Sequence, residues 1–245
     1  TDVWQSSNGI RSIIYNRKFH YIMTRKYLPF ILFAALLVGC QSSPQFSVSG
    51  TITGAEGEWL YLEHTALTKT MIVDSCTLNA DGKFNVQAVA PAHPDFYRIR
   101  IDNRSLPLSI DSIEKIEVHT TLDSLPYTLS IEGSESSLVI AQLRATARTS
   151  TREELRNQAQ QIIIQNPRSL AAYYAVFLKQ GGEYIWNIFD PTDRKMYQVV
   201  ATSFNAWMPD YERTKTLYNQ VLEVMQAERS AKNQQTMRQF IDEAE

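Results

Sequence analysis

Between residues 46 and 131 hydrophobic and polar residues alternate in short runs, a pattern typical of β-strands with one buried face. The clearest run is 96–101, where a period of two predicts aromatic and β-branched side chains on one face and arginines on the other. Turn-forming residues at 79–82 and 102–104 separate neighbouring strands, and Gly50 suggests a bulge. The other predicted strands cover residues 46–52, 58–63, 69–78, 83–86, 106–110, 115–120 and 127–131. Short strands at this spacing predict an antiparallel β-sandwich or an open barrel.

After Gly133 the hydrophobic residues recur at helical spacing instead. The first predicted helix has Ser136 or Ser137 as its N-terminal cap. The second begins at a capping box over residues 151–154 and ends before Asn166-Pro167, because proline disfavours a helical conformation in the residue that precedes it.

Three further helices are predicted, at 169–180 with a stop at Gly181-Gly182, from Asp190-Pro191 onward, and from Pro209-Asp210 onward. The chain is therefore predicted to have an α+β fold in two segregated parts. We expect a β-sandwich domain at residues 46–135 and an all-helical domain at residues 136–245.

The stretch from Met23 to Cys40 has the order of a secretory signal: a basic pair, an apolar run and a small-residue exit. The apolar run is too short for a spanning helix, which needs roughly 20 apolar residues. Its last four residues, Leu37-Val38-Gly39-Cys40, resemble a bacterial lipobox, in which the cysteine carries lipid. The alternative is a buried core helix. The basic pair, the length of the apolar run and the small residues before Cys40 together favour a signal peptide.

This interpretation divides the start of the chain into three segments. Residues 1–22 are expected to lie upstream of the natural product, 23–39 to be the signal peptide, and 40–45 to be a lipidated tether. Two or more acyl chains on Cys40 would anchor the protein stably to a membrane. By analogy with lipoprotein sorting, Gln41 favours the outer membrane of the cell envelope, with the protein facing the periplasm.

The charge of the expected mature part is mildly acidic. Residues 1–39 hold five of the 24 basic and one of the 26 acidic residues, so the remainder has 19 basic and 25 acidic side chains and a net charge of −6. No basic stripe runs along the sequence. Nucleic-acid binding is therefore disfavoured.

The chain has two cysteines. With Cys40 lipidated, Cys76 has no partner for an intrachain disulfide. The absence of a C-x-x-C motif from the sequence excludes a thioredoxin-type redox pair and a thiolate zinc site. We expect Cys76 to be a small buried hydrophobic residue of a strand, with an exposed reactive thiol as the alternative.

No catalytic, cofactor-binding or metal-binding residue is predicted. Ser112 and Lys115 match the S-x-x-K pattern of acyl-enzyme serines, but the flanks are strand-like and the accompanying motifs are missing, which favours a solvated hairpin. The histidines His64, His93 and His119 lack metal-ligand spacing. Two of the acids Asp74, Asp81 and Asp102 could form an acid pair. Asp81 and Asp102 are expected in turns for backbone reasons.

The predicted helical part is rich in aromatic residues: Tyr173, Tyr174, Tyr184, Trp186, Tyr197, Phe204, Trp207, Tyr211 and Tyr218. Core packing explains them without a further function. The alternative is an exposed binding patch that contacts a protein partner or stacks on sugar rings. The candidate residues for this patch are Tyr184, Trp186, Trp207 and Tyr211.

Several short motifs occur in a characteristic order: F-x-V-x-G-x-I at 46–52, W-L-Y-L at 59–62, V-D-S at 73–75, D-G-K-F at 81–84, F-Y at 96–97 and G-S at 133–134. After a lipobox, this order resembles the N-terminal domain of unknown function 4369 of Bacteroidetes-type envelope lipoproteins. The resemblance covers residues 46–143, and more loosely the helices to Glu245.

The resemblance implies a β-domain and a helical segment that commonly precede a thioredoxin-like disulfide oxidoreductase domain. The W-C-x-x-C motif of that domain is absent, so its redox activity is carried over to no residue here. We therefore expect a non-enzymatic, lipid-anchored envelope module, an accessory or scaffold part of a thioredoxin-like system. Its expected partners are the membrane and a thioredoxin-like domain or protein. The alternative is a glycan- or peptide-binding envelope lipoprotein that uses the helical aromatics.

Overall fold

The computed structural model describes residues 43–243, so the predicted signal peptide and Cys40 lie outside the described residues. Eight strands form two four-stranded sheets, in the orders β4-β1-β7-β8 and β3-β2-β5-β6. Neighbouring strands are antiparallel except β1 and β7, which run parallel. The strands are β1 Gln45–Thr53, β2 Trp59–Thr65, β3 Thr70–Thr77, β4 Lys83–Val89, β5 Asp95–Ile101, β6 Arg104–Ile110, β7 Lys115–Thr121 and β8 Ile131–Glu132.

Five helices and a short hairpin follow the sheets. The helices are α1 Glu135–Thr149, α2 Arg152–Gln165, α3 Leu170–Val176, α4 Arg194–Trp207 and α5 Glu212–Asp242, and the hairpin strands are β9 Lys179–Gln180 and β10 Glu183–Tyr184. None of these helices combines the length and the apolar character that crossing a membrane requires. The order of a strand-rich part and a helical part confirms the predicted α+β class.

The two sheets enclose an aliphatic core. Alternate residues of each strand face inward, among them Val48 and Ile52 from one sheet and Leu62 and Ile99 from the other, all fully buried. Over residues 43–243 the sheets do not close into a barrel, so the structure is the open, sandwich-like form of the prediction.

Gly50 does not form the predicted bulge. Its pairing with β4 and β7 is regular, and the irregularity instead lies in β2, between Leu62 and Glu63. Gly50 has a φ of 147°, and a Cβ atom there would lie 1.9 Å from the carbonyl oxygen of Val118. Close approach of two backbones therefore explains this glycine.

The predicted strand at 127–131 is mostly wrong. Residues Leu125–Tyr127 form a 3-10 turn that contains Pro126, and only Ile131 and Glu132 pair with β7. Because proline lacks an N–H and Leu125 is fully buried, this segment gains more from burying the leucine in a turn than from extending a strand.

Two helix starts differ from the prediction. Ser134, not Ser136 or Ser137, caps α1 and accepts a hydrogen bond from the Ser137 amide. The helix predicted from Asp190-Pro191 begins at Arg194, because the Asp190 side chain caps a preceding turn. The capping box of α2 at Thr151 and Glu154 is present as predicted.

The helix predicted at 169–180 is shorter than expected. Ser169 caps α3, which ends at Val176, and Gly181-Gly182 forms the turn between β9 and β10 instead of a helix stop. Both glycines have positive φ values, as a tight hairpin turn requires.

Strand β5 presents a mixed outer face. Tyr97, Ile99 and Ile101 point into the sandwich, but Phe96 lies on the other face together with Arg98 and Arg100. The predicted separation of aromatic from arginine residues is therefore wrong at Phe96. Its ring packs into the core of the helical part, and this contact helps to join the sheet to the helices.

Candidate functional site

A cleft lies between the outer face of the β3-β2-β5-β6 sheet and the helical part. It consists of two cavities of about 420 and 430 Å³, which share Arg144, Tyr174 and Phe177 in their walls. The first cavity is bounded on one side by β5 and β6 and on the other by α3, while the second lies between α1 and the β9–β10 hairpin. We refer to the two together as the cleft.

The charged side chains that line the cleft are all basic. Arg98 and Arg213 line the first cavity, Arg148 and Lys179 line the second, and Arg144 lines both. No aspartate or glutamate is among the lining residues of either cavity. The cleft therefore concentrates positive charge in a chain whose net charge is −2.

Two of these cations are neutralised by neighbouring carboxylates. Arg98 Nε lies 2.5 Å from Glu63 Oε2, and Arg213 Nε lies 2.8 Å from Asp95 Oδ1. Arg100 binds the other oxygen of Glu63 at 2.8 Å. Burial raises the pKa of Glu63, but hydrogen bonds from the two arginines outweigh burial and hold that pKa below its ordinary value.

The other three cations form no ion pair with any carboxylate of residues 43–243. The Arg144 guanidinium instead donates to the Pro126 carbonyl at 3.3 Å and lies 3.4 Å from the Tyr174 hydroxyl. The Arg148 guanidinium lies 3.7 Å from the centroid of the Tyr127 ring. Lys179 Nζ lies 4.4 Å from the centroid of the Tyr184 ring.

Aromatic rings form much of the remaining wall. Phe96 lies 6.0 Å from Tyr173 and 6.3 Å from Tyr174, and Phe177 lies 5.3 Å from Tyr173 and 6.5 Å from Tyr184, measured between ring centroids. Burial raises the pKa of Tyr173 to about 12, so its hydroxyl is neutral at pH 7. The cleft therefore offers neutral rings beside fixed positive charges.

Asp95 organises one end of the cleft. Its Oδ1 accepts hydrogen bonds from the Tyr211 hydroxyl and from Arg213 Nε, each at 2.8 Å, and its Oδ2 lies 2.7 Å from His64 Nε2. Arg213 also donates to the Thr65 carbonyl. Burial raises the pKa of Asp95, but the hydrogen bond with His64 and the charge of Arg213 outweigh burial and hold that pKa below its ordinary value.

The four predicted patch residues do not form one surface. Trp186 and Tyr211 are 4% and 7% exposed, and their polar atoms bond internally, Trp186 Nε1 to the Ala175 carbonyl and the Tyr211 hydroxyl to Asp95. Tyr184 is 48% exposed and lines the cleft. Trp207 is 45% exposed, packs on Phe204 and is not among the lining residues of the cleft.

Within the described residues, the side chains of Ser112, Lys115 and Cys76 form no hydrogen bond with one another. Ser112 is exposed in the segment that joins β6 to β7, which pair in different sheets, so this segment is a solvated turn but not a hairpin. Cys76 is half-buried in β3, and burial raises the pKa of its thiol. Lys115 is the exposed first residue of strand β7, whereas S-x-x-K chemistry needs its serine at the start of a helix and its lysine one turn later.

Within the described part of the chain, the candidate histidines form no ion pair with the candidate acids Asp74, Asp81 and Asp102, and the acid that His64 binds is Asp95. His93 packs 5.6 Å from the Tyr211 ring and His119 lies 3.8 Å from Glu117, while Asp74 accepts from the Gln87 amide. Asp81 and Asp102 lie in turns, as predicted. Within residues 43–243 no three His, Cys, Asp or Glu side chains are placed to hold a metal ion.

Sequence reasoning missed the basic wall of the cleft. Arg144 and Arg148 are four residues apart on α1, a spacing that places both on one side of a helix. Their spacing in the sequence therefore predicts a shared basic face. The proximity of Lys179 to these arginines could not be predicted, because Lys179 lies in a hairpin where the sequence predicts a helix.

Comparison with known proteins supports the domain but gives no function. Residues 46–137 match the family model described as domain of unknown function DUF4369, a range that covers the two four-stranded sheets and the start of α1. No curated protein matches the chain. A solved structure with partial similarity is a 9R-lipoxygenase from Cyanothece PCC8801, with 8% identity and a TM-score of 0.23. That alignment covers 51% of this chain and 25% of the lipoxygenase, and a TM-score this low does not indicate a shared fold.

Proposed function

We propose that this protein is a lipid-anchored module of the cell envelope that binds a partner or ligand and performs no redox or hydrolytic chemistry of its own. The observation that carries the proposal is the cleft, whose walls supply fixed cations and aromatic rings. Such groups orient and hold a ligand. The residues that line the cleft include no cysteine for thiol–disulfide exchange and no carboxylic acid for carboxylate-based acid–base catalysis.

The nearest arrangement to a catalytic one is the contact between His64 and Asp95. Within residues 43–243 no serine, threonine or cysteine side chain bonds to His64, and both Asp95 oxygens are already engaged. A catalytic dyad needs a nucleophile within hydrogen-bond reach of its base. This contact therefore supports a structural role for His64 and Asp95.

Anchoring through Cys40 is part of the proposal. The test is metabolic labelling with palmitate of wild-type protein and of the Cys40→Ala variant, with Cys76→Ala as the matched control. We expect label in the wild type and in Cys76→Ala only. Continued labelling of Cys40→Ala would contradict the anchoring proposal.

We further propose that the module serves a thioredoxin-like disulfide oxidoreductase system, in cis or through a separately encoded partner. The match of residues 46–137 to DUF4369 supports this role, through the resemblance described above. Sequencing the DNA downstream of the Glu245 codon in all frames tests it. A W-C-x-x-C segment there supports the role, and unrelated sequence both there and in neighbouring genes counts against it.

The second candidate function is binding of a glycan or a peptide. The placement of Tyr174, Phe177 and Tyr184 beside Arg144 in the cleft favours it, since rings and cations together recognise ligands that are partly apolar and partly anionic. Of the four candidate patch residues only Tyr184 lines the cleft, and Tyr173 and Tyr174 of the wider aromatic set line it as well. Calorimetric titration with saccharides and peptides tests this candidate.

A further inference from the structure

Three cations converge on the cleft without a carboxylate partner among the described residues. Arg144 and Arg148 extend from one side of α1, and Lys179 approaches the same cavity from β9. Like charges that share a cavity repel one another, and an anion between them would relieve that repulsion. Tyr127 and Tyr184 hold two of the cations against their ring faces, so these charges are held in place before a ligand arrives.

We infer that the cleft binds an acidic saccharide, a sugar whose carboxylate or phosphate lies among Arg144, Arg148 and Lys179. This inference rests on the second candidate function and names its ligand class. An arginine guanidinium offers paired donors that match a carboxylate or a phosphate. The two cavities, about 420 and 430 Å³, have the size of small-molecule pockets and together suit a short oligosaccharide.

The aromatic wall of the cleft suits the sugar part of the ligand. Tyr174 and Phe177 border both cavities, so a ligand whose acid group is bound in the second cavity would extend its body along these rings. Phenol rings combine an apolar face with a hydroxyl, which suits the C–H face and the hydroxyl groups of a sugar. An inorganic anion alone would leave this wall without a function.

An extended peptide fits the cleft less well. A peptide that binds by strand addition pairs its backbone with a free strand edge. Strand β6 borders the cleft, but Pro107 lacks an N–H, and α1 covers the edge of β6 near Ser109, which bonds to Ser134 and Ser137. The polar groups left for recognition are therefore side-chain cations and hydroxyls.

The test is isothermal titration calorimetry on the full chain in detergent. The probes are trigalacturonate, mannose 6-phosphate, neutral maltotriose, inorganic phosphate and tetraglutamate. We expect trigalacturonate or mannose 6-phosphate to bind, whichever acid group the cleft prefers, and the affinity to fall as salt is added. Maltotriose, phosphate and tetraglutamate should bind at least roughly tenfold more weakly.

Arg144→Gln and Lys179→Gln should each weaken acidic-saccharide binding by roughly tenfold, since each removes a charged hydrogen-bond donor. Lys179 is exposed, so its variant keeps the test valid if Arg144→Gln fails to fold. Arg229→Gln is the matched control, because Arg229 is exposed on α5 outside the cleft. An equal loss in Arg229→Gln would indicate non-specific charge attraction and overturn the inference.

The remaining outcomes separate this inference from the proposals above. Equal or tighter binding of maltotriose or tetraglutamate contradicts the acidic-saccharide inference but leaves a glycan- or peptide-binding function in place. Equal or tighter binding of inorganic phosphate also contradicts the inference, because the sugar would then contribute nothing to binding. Failure of every probe contradicts both the inference and that second candidate function. Neither result changes the outcome of palmitate labelling at Cys40.

Discussion

The sheet and the helices meet at two polar junctions that are built from opposite kinds of groups. At the first, the Ser109 amide donates to Ser137 Oγ at 2.9 Å, and the hydroxyls of Ser134 and Ser137 lie 3.1 Å from the Ser109 carbonyl oxygen. All three serines are buried. We call this set the serine junction, and it joins β6 to α1 through hydroxyl and amide groups that carry no formal charge. The Asp111 carboxylate lies at its margin, 3.4 Å from Ser109 Oγ, and is not hydrogen-bonded to Ser137.

The second junction is charged and joins β2 and β5 to α5. Asp95 is its centre, bonded to Tyr211 and Arg213 of the helical part and to His64 of β2. We call this set the Asp95 junction. Burying a charge costs free energy, and for the Asp95 carboxylate the hydrogen bond with His64 and the charge of Arg213 outweigh that cost. The comparison therefore teaches that buried contacts can join two elements either through uncharged groups or through a titratable carboxylate. Only a contact of the second kind depends on pH through its own protonation.

The largest expected effect is from Asp95→Ala. The variant leaves the buried Arg213 guanidinium without its carboxylate, so we expect the free energy of unfolding to fall by roughly 3–5 kcal/mol. Urea unfolding followed by tryptophan fluorescence measures this loss. Asp123→Ala is the control, since Asp123 is 89% exposed in its pair with Arg104 and should cost under about 1 kcal/mol. Equal losses in the two variants would show that the Asp95 junction contributes no more to stability than an exposed ion pair.

Breaking the serine junction should cost less. Ser137→Ala leaves the buried Ser109 amide without an acceptor, which we expect to lower the free energy of unfolding by about 1–3 kcal/mol. Ser136→Ala is the same substitution one position earlier on α1, where the side chain is only half-buried, and should be nearly neutral. If Ser136→Ala lowered the free energy of unfolding as much as Ser137→Ala, the loss would come from a change in α1 itself and not from the serine junction.

A cap that touches neither junction provides the reference for a purely local loss. Thr151→Ala removes the capping box of α2, and we expect a loss of about 1 kcal/mol at neutral pH. The same urea titration measures it. A loss greater than that of Asp95→Ala would reverse the order proposed for the junctions and the cap.

Acid distinguishes the two junctions directly. The folded-state pKa of Asp95 lies below its ordinary value, so its contribution to stability is present above the unfolded-state pKa of about 3.9. That contribution is lost as the pH falls through the folded-state pKa. The difference in unfolding free energy between wild type and Asp95→Ala should therefore narrow below about pH 4. The difference in unfolding free energy between wild type and Ser137→Ala should not change with pH. If that difference also narrowed below about pH 4, the two junctions would not differ in their dependence on charge.

Local sequence signals predicted much of the fold and little of the cleft. Alternation located β1 to β7, and the capping box located the start of α2, because each pattern acts over a few neighbouring residues. The predictions failed at Phe96, Ser134 and Val176, where burial against a distant element outweighed local preference. The predicted binding patch included Tyr184, which lines the cleft, but also the interior side chains Trp186 and Tyr211.

The sequence alone determined the fold class, the order of strands before helices and the absence of a C-x-x-C motif, since periodicity and composition are properties of the chain. Tertiary structure alone decided that Arg144, Arg148 and Lys179 share a cavity, and that the Asp95 carboxylate bonds to Tyr211 and Arg213, more than a hundred positions away along the chain. The physical reason is that charge and burial depend on distances in space, which no spacing along one element records.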